Sequence, residues 1–170
     1  MRISEHMKDF ELTPVYLSLG SNLGDRKSYL ESVQSSLPPD VVVRQSSAIY
    51  ETEPWGFSCQ PDFLNQVLLV ETHLTARELL NYVKDLEAEI GREPSFRFGP
   101  RLVDIDIIFY GDQVIQEPGL EIPHPRFQDR AFVLVPLAEI SPDLLIPGTD
   151  ITVSDLLGKA DISGVHPYQE

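Results

Sequence analysis

Two spacings of apolar residues alternate along this chain, and together they lay out its elements. Val15-Tyr16-Leu17-Ser18-Leu19-Gly20 reads as a strand, ended by the turn-prone Gly20-Ser21-Asn22-Leu23-Gly24-Asp25. Asp25 is placed to cap a helix running to about Leu37, with Leu30, Val33 and Leu37 on one face and Pro38-Pro39 as its stop. Val41 to Glu51 predicts one long strand, Thr52 to Asp62 an irregular stretch, and Phe63 to Glu71 another strand. Thr75 with Glu78 three residues later is a capping box. It opens a helix with the stripe Leu79, Val83, Leu86, Ile90, closed by Gly91. A loop over 92–100 then leads into the apolar run Leu102–Tyr110, a further strand.

This β-α-β-β-α-β order predicts an α+β fold of the ferredoxin-like, split βαβ kind. A small hairpin, Gln113–Ile115 against Leu120–Ile122, and a short helix near Arg130–Glu139 would extend it. Ile151–Leu157 would add a last turn. The expected organisation is a flexible leader (1–13), one domain (14–158) and a weakly specified tail (159–170).

Charge and cysteine content narrow the setting. Thirteen Lys and Arg against 27 Asp and Glu leave a formal net charge of −14. That argues against nucleic acid and anionic membranes as main partners, since both call for a basic footprint. Cys59 is the single cysteine, so no intramolecular disulfide can form, which suits a reducing cytosol; Cys59 itself reads as a bystander thiol. The leader lacks the apolar core of a secretory signal, and no stretch is long enough to span a bilayer. A cytoplasmic monomer is expected.

The informative feature is Asp104-Ile105-Asp106 inside the last apolar strand. Strand side chains alternate, so both carboxylates leave the same face, with Cα atoms roughly 6.6 Å apart. Two like charges on a buried-looking strand repel and are costly to desolvate. One or two hard divalent cations would compensate, as would an arginine on each carboxylate. Five of the nine arginines fall between residues 92 and 130, and no lysine does. Guanidinium forks suit bidentate phosphate binding, so the combination fits a polyphosphate site.

Other candidates are ambiguous taken singly. Gly20-Ser21-Asn22-Leu23-Gly24 lacks the Walker spacing and reads as a structural turn. Phe63 and Phe132 fit core aromatics as well as stacking platforms. Asn65, inside an apolar strand, needs its amide satisfied by something, a ligand edge included. His124, between two prolines, reads as a rigid-turn residue bonding backbone or as a ligand contact. His6, His73 and His166 read as surface residues.

Five segments in order settle the choice: Tyr16–Asp25, Tyr50–Gly56, Gln60–Asn65, Arg97–Ile108 and Ile122–Pro125. Over roughly residues 14–148 the chain resembles the 6-hydroxymethyl-7,8-dihydropterin pyrophosphokinases of folate biosynthesis. The resemblance implies transfer of the β,γ-pyrophosphoryl unit of ATP to the pterin hydroxymethyl group, with release of AMP. It implies that Asp104 and Asp106 hold two Mg²⁺ ions and that Arg92 and Arg101 neutralise the phosphates. It also implies that His124, Ile107 and Glu87 serve the ATP side. Gly20, Thr52, Pro54, Trp55, Phe63, Asn65 and Phe132 would form the pterin pocket, with the two phenylalanines against the ring faces. Loops 52–62 and 92–100 are expected to close over the substrates. The chain departs from the family's usual residues at Phe63 (often tyrosine), Phe98 (often tryptophan) and Pro94 (often arginine), whereas Pro125 matches most members. The rival readings are a non-catalytic ferredoxin-like module that binds pterin or nucleotide, and a kinase that transfers only the γ-phosphoryl group.

Overall fold

The structure, a computed structural model, describes residues 11–54, 56, 58–91 and 102–170. Residues 1–10, most of the expected leader, lie outside them, as do Trp55, Arg92, Pro94, Phe98 and Arg101. The described part of the core follows the expected order: β1 (Thr13–Ser21), α1 (Arg26–Ser36), β2 (Val41–Ser46), β3 (Tyr50–Thr52), β4 (Phe63–Thr72), α2 (Ala76–Ile90) and β5 (Asp104–Tyr110). After it come β6 (Ile115–Glu117), β7 (Leu120–Ile122), a 3₁₀ turn (Phe127–Asp129), α3 (Ala131–Ile140), α4 (Val153–Leu157) and β8 (Val165–Pro167). The main sheet runs β5-β1-β4-β3-β8, with β2 also paired to β4 and every pairing antiparallel. With β2, β4 and β5 as second to fourth strands, this is the ferredoxin-like order. Both long helices use the caps expected of them. Asp25 accepts from the Ser28 N–H, and Thr75 and Glu78 satisfy each other's backbone before the helix ends at Gly91, φ 104°.

Three expectations need correction. Val41–Glu51 is two strands, because Ser47 bonds to Val67 through backbone and hydroxyl while the Ala48 N–H turns to the Glu139 carboxylate on α3. The chain leaves the ladder there and rejoins it at Tyr50. The hairpin's first strand is Ile115–Glu117 rather than Gln113–Ile115, since the tight turn sits at Pro118-Gly119, with Gly119 at φ 74°. The tail beyond the last helical turn is not structureless: Val165–Pro167 pairs with β3, and the Tyr168 N–H bonds the Ile49 carbonyl.

The two faces of the sheet are covered differently. Val15, Leu17, Leu19, Leu64, Leu68, Ile105 and Ile107 point to one face and form a core under α1 and α2 with Leu30, Val33, Leu79 and Val83. On the other face Tyr16, Val67 and Ile108 pack with Phe109 beneath Phe127, Val133, Leu134 and Leu137 of the following segment. Among the described residues that second core covers one end of its face, and the other end carries the polar residues.

Candidate active site

The polar end is assembled by strand register. Gly20 pairs with Asn65 on one side and Asp104 on the other, and Asn65 pairs in turn with Tyr50. One step along, Ser18 pairs with Asp106. Period-two alternation therefore sets Asp104, Asp106, Ser18, Gly20, Asn65 and Phe63 on one face across adjacent strands.

At the β3–β4 side, Asn65 is buried at 3% exposure and donates its amide to the Thr52 hydroxyl at 2.8 Å. That leaves its carbonyl oxygen directed toward Gly20. A Cβ placed on Gly20 would stand 3.7 Å from that oxygen and 3.8 Å from the Phe63 ring, ordinary contact distances that place Gly20, Asn65 and Phe63 side by side. The 52–62 stretch is tied down at its far end. Asn22 donates to the Gln60 side chain and the Pro61 carbonyl, and Arg26 donates to Glu51 and the Asp62 carbonyl. The glycine-flanked turn thus anchors this loop, in keeping with its structural reading.

At the β5 side Arg130 stands beside Asp106, its Nη1 3.7 Å from Asp106 Oδ2. Burial, then the neighbouring Asp104, push the Asp106 carboxyl up to about 6, against the opposing pull of Lys84 and Arg130. The guanidinium of Arg130 also lies over the half-buried Phe132 ring, 5.7 Å from its centroid. Arg130 went unremarked in the sequence beyond its place in the arginine cluster. Its position two residues before Phe132 was the signal available.

His124 stands on the outer edge of β5, its N–H bonded to the Ile108 carbonyl at 3.0 Å. Its Nδ1 accepts from the Arg126 N–H at 3.1 Å. Burial, with Arg130 next, lowers the imidazole to about 4, so it is neutral at working pH with its proton on Nε2. The turn-residue reading and the ligand-contact reading are compatible: Nδ1 fixes the turn and Nε2–H remains a donor. Two residues placed on the ATP side by resemblance sit less openly. The Ile107 side chain belongs to the core under α1 and α2, so only its backbone can reach a ligand. Glu87 is 1% exposed and accepts from the Ile105 N–H at 2.7 Å.

Among the described residues no group of three or more His, Cys, Asp and Glu is arranged to hold a metal. The donor set on β5 is two carboxylates. That fits Mg²⁺, which commonly takes one or two protein carboxylates and fills its octahedron with water and substrate phosphates.

A ferredoxin-like sheet with paired carboxylates and an arginine on the same face as a buried amide is an arrangement that fits a phosphate-transferring class of site. The profile of the 7,8-dihydro-6-hydroxymethylpterin-pyrophosphokinase family matches residues 16–142, and the chain belongs to that family of enzymes. It is 43% identical over 136 residues to the 2-amino-4-hydroxy-6-hydroxymethyldihydropteridine pyrophosphokinase of Aquifex aeolicus, covering 80% of this chain and 85% of that one. The enzyme of the same name from Methylorubrum extorquens is 43% identical over 156 residues, covering 91% and 98%. A Pneumocystis carinii folic acid synthesis protein is 41% identical over 158 residues, although the chain spans only 21% of it. Among solved structures, wild-type Plasmodium falciparum HPPK-DHPS with pterin and p-hydroxybenzoate aligns at TM-score 0.70 and 16% identity, covering 88% of this chain and 42% of that one. That last likeness concerns the fold.

Proposed function

We propose that the chain transfers the β,γ-pyrophosphoryl unit of ATP to the hydroxymethyl group of 6-hydroxymethyl-7,8-dihydropterin, releasing AMP, in folate biosynthesis. The observation that carries this reading is the strand register that joins Asp104 and Asp106 to the Gly20–Asn65 patch on one sheet face. A phosphate acceptor seated on the patch lies beside the carboxylates, which is what an in-line displacement requires.

Asn65 and Thr52 recognise the amide-like edge of the pterin, and Phe63 and Phe132 stack on its ring. Gly20 and backbone around Pro54 and Trp55 complete the pocket. Asp104 and Asp106 would hold Mg²⁺, two ions on the family pattern, which would supply charge neutralisation to the triphosphate. Arg92 and Arg101 bind the phosphates, the neutral His124 donates through Nε2, and the Ile107 backbone meets the adenosine. Arg130 supplies the counter-charge to Asp106 before substrates arrive. The attacking hydroxyl needs no strong general base, because positioning and charge neutralisation carry the reaction. The protein works as a cytoplasmic monomer independent of nucleic acid and membrane, a reading its net charge of −14 supports and sedimentation would test.

The test is a nucleotide product analysis with ATP, Mg²⁺ and the pterin, separating AMP from ADP. Pterin-dependent AMP is the expected result. Pterin-dependent ADP would mean γ-phosphoryl transfer, and binding of both substrates without either product would mean a non-catalytic module.

A further inference from the structure

β5 closes one end of the sheet, and an outermost strand turns every second N–H and C=O away from its partner. Ile105, which pairs with Leu19 and separates the two aspartates, is such a residue. Both of its outward groups are taken by α2. Glu87 accepts from the Ile105 N–H at 2.7 Å, and Lys84 Nζ donates to the Ile105 carbonyl at 3.2 Å. Lys84 and Glu87 are themselves joined at 3.0 Å, one helical turn apart.

This pair is costly where it stands. Glu87 is 1% exposed, on a helix whose neighbouring buried positions are Leu79, Val83 and Leu86. A carboxylate there gives up its hydration, and an apolar residue of similar size would pack the same helix against the sheet. What an apolar residue could not do is hold the Ile105 peptide.

We propose that Glu87 and Lys84 are positioning residues for the transfer reaction: by clamping the two peptide groups that flank Ile105, one through its N–H and one through its carbonyl, they fix the spacing and direction of the Asp104 and Asp106 carboxylates. On this account Glu87 acts on the metal site through β5 rather than by touching ATP. The inference rests on the proposed pyrophosphoryl transfer, and its test includes readouts that do not.

Amide exchange at Ile105 should report the clamp directly. Glu87→Ala removes an acceptor worth about one charged hydrogen bond, so Ile105 protection should fall by roughly tenfold or more while β1–β4 amides keep theirs. Mn²⁺ titrated into the protein with a non-hydrolysable ATP analogue should bind about 10–100-fold more weakly, and kcat should fall by a similar factor with the pterin KM unmoved. Glu87→Gln keeps an acceptor oxygen and should restore Ile105 protection and most of the turnover. Lys84→Met, at a half-exposed position, should fall between the two and stays informative if Glu87→Ala does not fold. Wild-type Ile105 protection in Glu87→Ala would overturn the proposal. So would lost protection with unchanged Mn²⁺ affinity, or a rise confined to the ATP KM. If the wild type makes no pterin-dependent AMP, the functional reading fails, and the exchange and Mn²⁺ measurements still decide the clamp.

Discussion

The two faces of this sheet are made by the same strands and do opposite work. Under α1 and α2, β1, β4 and β5 present mainly apolar residues, from Val15 and Val70 to Leu19, Leu64 and Ile105, interrupted on β4 by Gln66, which bonds Gln34 of α1. On the reverse face the same strands change character midway, from Tyr16, Val67 and Ile108 to Ser18, Asn65 and Asp106. The first face is sealed, so its residues contribute to stability. Among the described residues the second is sealed at one end by α3 and the 3₁₀ turn, and its polar end is where the proposed function places the ligands. A one-residue alternation on β5, Asp104-Ile105-Asp106-Ile107, therefore separates chemistry from core.

That division can be broken from either side, and the largest effect belongs to the polar end. Asp104→Asn or Asp106→Asn should lower turnover by about 10³-fold, since cation-mediated charge stabilisation is worth several kcal/mol. Thermal unfolding without Mg²⁺ should be unchanged or raised, because a repulsive charge is gone. Near-normal turnover in either variant would remove the metal assignment. On the sealed face, Leu68→Ala should cost about 2–5 kcal/mol in denaturant unfolding while kcat per folded molecule stays within twofold. A kinetic defect there would mean the faces are not independent.

Smaller changes sharpen the boundary within the polar end. Asn65→Ala should weaken pterin binding by roughly tenfold or more, measured calorimetrically, with the nucleotide analogue unaffected. Removing residues 164–170 strips β8 from β3, together with the Lys27–Glu170 ion pair and the Tyr168 ring that lies 5.8 Å from Arg26. A few-fold rise in the pterin KM is expected, and an unchanged value would show that β3 holds the pocket unaided.

Titration adds the subtlest test. The folded Asp106 carboxyl lies near 6 against 3.8 unfolded, so between those values the native state holds the extra proton and stability falls as pH rises. His124 lies near 4 against 6.5, so over its window the unfolded state holds the extra proton and stability rises with pH. The two slopes oppose each other in the metal-free protein. Asp106→Asn should unmask the histidine, giving a steeper rise in stability from about pH 4 to 6.5 by chemical denaturation. Identical slopes in the two proteins would contradict the assignment.

How much of this was written in the sequence depends on how locally each feature is determined. The capping box at Thr75 and Glu78, the stripe of α2 and the alternation on β5 are local patterns, and they appear where their spacing puts them. The break at Ser47–Ile49 was not legible, because its cause is Glu139, 91 residues away, drawing off the Ala48 N–H. β8 was missed for a similar reason: three residues with a proline carry no period, and their partner is a distant strand edge. Arg130 and the Glu87–Lys84 clamp are also products of tertiary neighbourhood. A glutamate on an amphipathic helix looks like solvated surface until the strand it faces is known.

The central claim, that the Asp104–Asp106 face performs pyrophosphoryl transfer on a fold it does not hold together, is tested most directly by ³¹P NMR of one reaction in two proteins. Wild-type chain with ATP, Mg²⁺ and 6-hydroxymethyl-7,8-dihydropterin should convert ATP to AMP and a pterin diphosphate ester in equal amounts. Asp106→Asn, with a melting transition no lower than that of the wild type, should leave both substrates essentially intact over the same interval. ADP from the wild type, or comparable conversion by the variant, would contradict the account.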